Sequence, residues 1–547
     1  MIDHSQAGRP PTRAQHGLIT TPHHIASSTG IDILRKGGSA VDAAIAANAT
    51  LCVVYPHMAG LGGDGFWLIA DDAGEVQGIN ASGPAADSAT IDYYDSLGYN
   101  EIPDRGDASA LTVPGAVDGW RLAHKRHGKL PWNRLFEDAI AHAQEGVPVT
   151  ANLSRWIALD ADILSEDPRA NNTYLVDGAA PEPGSVLQQQ HLAESFEAIA
   201  QLGPRDGFYE GEVAEEVCDA LSNDSPLSDS DFRDYSAEWV DPISVDYGSY
   251  TAYSLPPNTQ GIAALQILGL LDGFNVASWG DQTADYYHHM AEAVKIAFAD
   301  RDAWVTDPNY TDIPVDSLLS DSYLEDRREL ICSNQSLPPS PEPGVAPDDT
   351  TVKSSNAGGD TCYLSVVDED GLAVSMIQSI YYDFGSGIVA GDTGIIPQNR
   401  GSFFSLDSTH VNSLKPGKRT FHTLIPSLLT RDGKPWLVYG TMGGEGQPQT
   451  QAALVTRIVD FGYDVQTAIE APRWLFGRTW GEESRSLSLE GRVPDHILDE
   501  LQRRGQPVAI GRDYDDNMGH AAAIKINSEG VLEGGADPRS DGSAIGY

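Results

Sequence analysis

The segment Gly358-Gly359-Asp360-Thr361 constrains the chain more than any other. It follows a Pro-rich, polar run, Pro338 to Asn356, that reads as an exposed loop. It opens an alternating strand, Cys362 to Val367, with Asp368-Glu369-Asp370-Gly371 as the turn and Leu372 to Ile377 as the return strand. A threonine thus stands where an accessible linker meets the first residue of a buried hairpin. One reading is an ordinary loop entering an ordinary hairpin. The other is chemical. If the chain were cut before Thr361, that residue would carry a hydroxyl nucleophile and a free α-amine able to act as its base.

Charge narrows the setting. The 547 residues hold 35 Lys and Arg against 79 Asp and Glu, a net charge of −44. The acids are spread throughout, so a docking patch for one basic partner is disfavoured, and phosphate repulsion argues against nucleic acid. Self-repulsion on this scale opposes compaction at low salt. At molar salt the Debye length falls to ~3 Å and most of the penalty is screened. The expectation is a halophilic, cytoplasmic protein. Met1-Ile2-Asp3-His4-Ser5-Gln6 has no basic region followed by an apolar run, and no stretch is long enough to span a bilayer. The four cysteines, Cys52, Cys218, Cys332 and Cys362, form neither a Cys-x-x-Cys pair nor a zinc pattern and are expected to be free, mostly buried thiols. Alternation turns Cys362 away from the face that Thr361 uses. No cofactor or metal is called for.

Periodicity predicts helices over Ile25–Leu34, Ala40–Val53, Tyr209–Leu221, Ile262–Leu271, Ala284–Thr306 and Gln449–Asp460. Strands are predicted over Phe66–Ala70, Tyr247–Leu255, near Phe403, and over Pro426–Thr430, Pro435–Tyr439, Ala521–Ile526 and Val531–Gly535. This alternation allows a layered α/β protein.

Several motifs then occur in order: Gly30-Ile31-Asp32-Ile33-Leu34-Arg35-Lys36-Gly37-Gly38-Ser39-Ala40-Val41-Asp42-Ala43-Ala44, the Gly-rich Gly60-Leu61-Gly62-Gly63-Asp64-Gly65-Phe66, Val113-Pro114-Gly115-Ala116-Val117, and Asp300-Arg301. Beyond Thr361 come Phe384-Gly385-Ser386-Gly387-Ile388, Gly440-Thr441-Met442-Gly443-Gly444 and Ala536-Asp537-Pro538-Arg539-Ser540-Asp541-Gly542. Together they resemble the γ-glutamyltransferase family of N-terminal-nucleophile hydrolases, nearly end to end. The resemblance implies a four-layer α-β-β-α sandwich built jointly by residues 1–360 and 361–547, which stay associated after self-cleavage between Asp360 and Thr361. It implies a threonine amidohydrolase or acyltransferase that works through an acyl-enzyme on a small-molecule amide, with water or an amine as acceptor. Thr361 would be the nucleophile, and Gly443 and Gly444 the oxyanion donors. Ser379 would stand in for a second threonine beside the nucleophile, or is a buried serine satisfied by backbone. Whether copies of the chain associate is left open.

The substrate positions depart from the family. Asn80 stands where the resemblance places a carboxylate-binding arginine, and His422-Thr423 where it places a Ser-Ser pair. Tyr381, Arg400 and Phe403 take the places of an Asn, a Gln and an Asp that hold the γ-glutamyl amine. The amine site thereby loses its anion and gains a cation. Arg400 is either a surface arginine paired with one of many acids or the partner of a substrate carboxylate. His422 is either a ligand contact or a satisfied structural histidine. Three functions follow: a γ-glutamyl amide hydrolase or transferase, an acylase or small-amide amidohydrolase for an acyl group without an α-amine, or an unprocessed scaffold.

Overall fold

In the computed structural model, which describes residues 8–221, 223–346, 360–477 and 484–547, two seven-stranded sheets carry the fold. The first runs Ser543–Gly546, Leu18–Thr21, Asp360–Val367, Ala373–Tyr381, Asp64–Ala70, Val76–Ala81, Glu238–Val240. The second runs Thr12–Ala14, Leu532–Ala536, Ala521–Ile526, Lys434–Thr441, Ser427–Arg431, Tyr250–Ser254, Ile243–Tyr247. Every neighbouring pair in both sheets is antiparallel.

Side-chain alternation sorts the strands into layers. Tyr363, Val367, Phe66, Leu68 and Ile377 point inward and meet Leu428, Val438, Ala522 and Ile524 of the second sheet. Cys362, Leu364, Val366 and Met376 point outward onto the helices His24–Arg35 and Ala40–Val54. Across the molecule, Leu429, Leu437, Tyr439 and Ala523 pack on Gly261–Asp272, Ala284–Trp304 and Gln447–Val459. The result is the four-layer α-β-β-α sandwich. Its central interface is mainly apolar, crossed by buried hydrogen bonds such as Thr20 to the Gly535 carbonyl and the Ser427 N–H to Ser375, and the strand that begins with Asp360 runs through the middle of the first sheet.

Both sheets interleave strands from before and after Thr361. The hairpin strand Asp360–Val367 lies between its partner Ala373–Tyr381 and Leu18–Thr21, and Ala373–Tyr381 in turn pairs with Asp64–Ala70. A cut before Thr361 falls outside the pairs made by Cys362–Val367 with both neighbouring strands.

Local expectations fared unevenly. Tyr247–Leu255 is not one strand: Ile243–Tyr247 and Tyr250–Ser254 form a hairpin, with Gly248 at φ 59 making the turn. The segment near Phe403 is a 3₁₀ turn, Arg400–Phe403, rather than a strand. The helix predicted from Tyr209 begins at Glu212, because Arg205–Tyr209 is a π turn. Cys52, Cys218 and Cys362 are buried, while Cys332 is exposed. The Pro-rich run is described only to Ala346; Gly358 and Gly359 lie outside the described residues. No described helix is long and apolar enough to cross a membrane.

Candidate active site

Thr361 is buried, and the pairing of its strand with Ala373–Tyr381 slips between Asp360 and Cys362, so Thr361 occupies the irregularity. Alternation puts it on the inner face with Tyr363 and Ser365, opposite Cys362, whose thiol accepts a hydrogen bond from Asn48 on the outer helix. Ser379 lies across this irregularity. Its hydroxyl accepts the Tyr381 N–H at 2.8 Å, and in register it faces Asp64 on the next strand. The Gly-rich loop makes that approach feasible: a Cβ on Gly63 would sit 2.3 Å from the Ser379 carbonyl oxygen.

Gly443 and Gly444 follow the central strand Lys434–Thr441 and precede the helix Gln447–Val459. Gly443 has φ 120, a conformation that side-chain-bearing residues rarely adopt. Its carbonyl accepts the Gly446 N–H at 2.7 Å. Among the described residues no acceptor takes the N–H of Gly443 or Gly444. Two adjacent unoccupied donors at a helix start are suited to a developing oxyanion.

Arg400 is 1% exposed and is not a surface arginine. Its guanidinium lies over the Tyr381 ring at 4.2 Å and near the Phe403 ring at 5.3 Å. Its polar contacts are two long ones, Nη1 to Thr423 Oγ1 at 3.3 Å and Nη2 to Ser379 Oγ at 3.5 Å, and its Nε has no partner among the described residues. No carboxylate there forms an ion pair with it. Burial drags its pKa down to about 10, against the opposing pull of Tyr381 and Asp64. Tyr381 holds φ 81, strained backbone for a bulky residue, and stacks on Tyr382 at 4.4 Å.

Two of the expected substrate contacts face protein instead. Asn80 donates to Asn258 Oδ1 at 2.9 Å and accepts from the N–H and hydroxyl of Ser82. His422 Nδ1 accepts the Leu424 N–H at 3.3 Å, which leaves Nε2 to donate to Asp64 Oδ2 at 3.2 Å. His422 is therefore the satisfied structural histidine. Burial, with Arg400 nearby, holds its imidazole well below the usual range and neutral. Thr423, by contrast, turns its hydroxyl to Arg400. The sequence reading missed Asp64 as a member of this group. Its Oδ1 accepts the N–H groups of Gly83 and Gly115, both at 3.1 Å, and burial pushes its carboxyl up to about 7. A lone acid inside a Gly-rich loop was the available signal. Nothing in the sequence marked Asn258 or Gln260, which join these loops.

Two face-to-face antiparallel sheets between helical layers, with Thr361 second in a central strand, have the architecture of the N-terminal-nucleophile hydrolases. The sequence model of gamma-glutamyltranspeptidase matches residues 26–547. The chain is 45% identical over 531 residues to the glutathione hydrolase-like YwrD proenzyme of Bacillus subtilis (strain 168), covering 97% of this chain and 98% of that protein. It is 43% identical over 541 residues to the oxamate amidohydrolase proenzyme of Klebsiella pneumoniae, covering 97% and 98%. The crystal structure of a cephalosporin acylase from Bacillus halodurans superimposes with a TM-score of 0.90 at 37% identity, covering 100% of this chain and 99% of that one. The chain belongs to the gamma-glutamyltranspeptidase family and is an enzyme.

Proposed function

We propose that this is a self-cleaving threonine amidohydrolase whose preferred acyl group carries a carboxylate and no α-amine. The observation that carries the reading is Arg400, a buried cation with no anionic partner among the described residues, poised beside Ser379 and Thr423. Charge without a partner is costly to bury, so such a group suits a ligand that supplies the counter-charge. The relative named for oxamate, a carboxylate-bearing amide without an α-amine, supports the same class. Asp64, the acid in register with Ser379, is committed to His422 and two backbone N–H groups and offers little to a substrate ammonium.

Maturation comes first. The Thr361 hydroxyl attacks the Asp360 carbonyl, the Asp360–Thr361 C–N bond breaks as the amine takes up a proton, and water hydrolyses the resulting ester. Fragments 1–360 and 361–547 remain one body because their strands interleave. In turnover the freed α-amine accepts the Thr361 hydroxyl proton as Oγ attacks the substrate amide. The N–H groups of Gly443 and Gly444 stabilise the oxyanion. The proton passes to the leaving amine, and water or an amine acceptor then releases the acyl group. Arg400 and Thr423 hold the acyl carboxylate, and Tyr381 and Phe403 wall the arm. A salt-rich cytoplasm is the proposed setting for a chain of charge −44.

The test compares purified enzyme on glutaryl-, γ-glutamyl- and short dicarboxylic-acid amides. The carboxylate-bearing substrates without an amine are expected to have the higher kcat/KM. A preference for γ-glutamyl-p-nitroanilide over its glutaryl counterpart overturns this specificity. A single uncut band on a denaturing gel, with no amidase activity, would make the chain a scaffold.

A further inference from the structure

We propose that Gln260 is a positioning residue that holds the oxyanion loop and the acyl-arm wall in one geometry through its side-chain amide. This rests on the reading of Gly443-Gly444 and Thr361 given above. Gln260 is fully buried, just before the helix Gly261–Asp272. Its Nε2 donates to two carbonyls, Thr423 at 2.8 Å and Gly444 at 2.9 Å. Thr423 is the residue whose hydroxyl meets Arg400, and Gly444 is one of the two oxyanion donors. A single amide thus bridges the two walls between which the substrate carbonyl must sit.

The orientation of that amide is itself determined. Gln260 Oε1 accepts Arg301 Nη1 at 3.0 Å, and a guanidinium can only donate, so the amide cannot be reversed without setting donor against donor. Arg301 is buried and anchored by Asp302 Oδ1 at 2.7 Å and Glu445 Oε1 at 3.3 Å. It therefore grips the loop directly at Glu445 and through Gln260 at Gly444. The Gln260 N–H also donates to the His422 carbonyl at 2.9 Å, and Asn258 accepts the His422 N–H at 2.8 Å and donates to the Thr420 carbonyl at 2.8 Å. The segment 258–260 thus fastens the loop 420–423 along its length.

The chemistry needs such a brace. Gly443 and Gly444, at φ 120 and 49, are the least restrained kind of backbone, and an oxyanion hole is useful only when its donors are aimed before the charge develops. The Gly446 N–H fixes the peptide plane between Gly443 and Gly444, and Gln260 fixes the next plane. The brace is supplied by residues before the cut to loops after it, so the first fragment completes the second fragment's site.

The experiment uses the full chain with Gln260→Met, close in size and without hydrogen bonds, and Gln260→Glu, which sets an acceptor against both carbonyls. Matured fraction, kcat, KM for glutaryl-p-nitroanilide, inhibition by glutarate and Tm are read together, with kcat normalised to cleaved enzyme. Expected is a fall in kcat of about 10- to 100-fold, a fraction of the ~10²–10³ for outright loss of an oxyanion donor. KM and glutarate inhibition should stay within about threefold, and self-cleavage, which passes through its own oxyanion, should slow. Should Gln260→Met not fold, Gln260→Asn, which withdraws the amide by one methylene, carries the same expectation. A kcat within threefold of wild type in a folded, matured variant overturns the proposal, as does a loss borne by KM and glutarate binding alone. If Thr361→Ala stays active, the nucleophile reading falls first and the brace with it.

Discussion

Replacing Arg400 by methionine separates recognition from scaffolding. Methionine keeps an unbranched apolar chain over the Tyr381 ring, where the guanidinium now lies at 4.2 Å. It removes the charge and the Nε and Nη2 donors that a carboxylate would engage as a pair. Each charge-assisted hydrogen bond contributes about 1.5–3 kcal/mol, so two contribute roughly 3–6. At 1.36 kcal/mol per decade, kcat/KM for glutaryl-p-nitroanilide should fall ~10²- to 10⁴-fold. A neutral acyl anilide of equal length makes no such bonds and should lose less than about tenfold. Stability should not share the loss. In the free enzyme the arginine is desolvated without an anionic partner among the described residues, a cost that its cation–π contacts offset by only ~0.5–2 kcal/mol. The Tm of the variant is therefore expected to be no lower than that of wild type. Initial rates on the two anilides, with a melting curve on the same sample, decide the matter. Equal losses on the charged and neutral substrates would refute the reasoning, and a collapse in Tm would mean that Arg400 is structural.

Thr361→Ala should leave one uncut chain, whereas wild type yields fragments 1–360 and 361–547, the smaller beginning Thr361-Cys362-Tyr363; any other first residue sinks the maturation mechanism. With a net charge of −44, Tm should climb steeply from low to molar KCl as the Debye length shrinks from ~10 to ~3 Å, and a flat response removes the halophile expectation. Asp64 titrates near 7 in the folded chain against 3.8 as its ordinary value. Its contribution to stability is thus full below about 4 and is lost as pH rises through about 7. The same ionisation places an anion near Arg400, so the KM of the carboxylate substrate, taken as a ratio to the neutral one to cancel titration of the Thr361 amine, should rise across pH 6–8. A ratio independent of pH would remove Asp64 from the recognition site.

Much of the fold's outline, and the hairpin that carries the proposed nucleophile Thr361, can be read from local patterns in the chain. Strict alternation after Thr361 and apolar helices such as Ala40–Val54 and Gly261–Asp272 are local signals, and local periodicity is what a single sequence records well. The side-chain chemistry at 400 and 403, a cation and an aromatic ring, can also be read there, and the family resemblance is what marks them as departures from an amine-binding pattern. Tertiary structure decided which of those groups are free. Arg400 and His422 look alike in sequence as cationic candidates near loops, yet one is buried without an anion among the described residues and the other is locked between Leu424 and Asp64. Only packing brings Asp64 beside Ser379, and only packing lets Gln260 reach both Thr423 and Gly444, more than 160 residues away. The physical reason is that hydrogen bonds across such separations leave no period in the chain, and burial, which sets whether a charge is spent or waiting, belongs to the assembled layers alone.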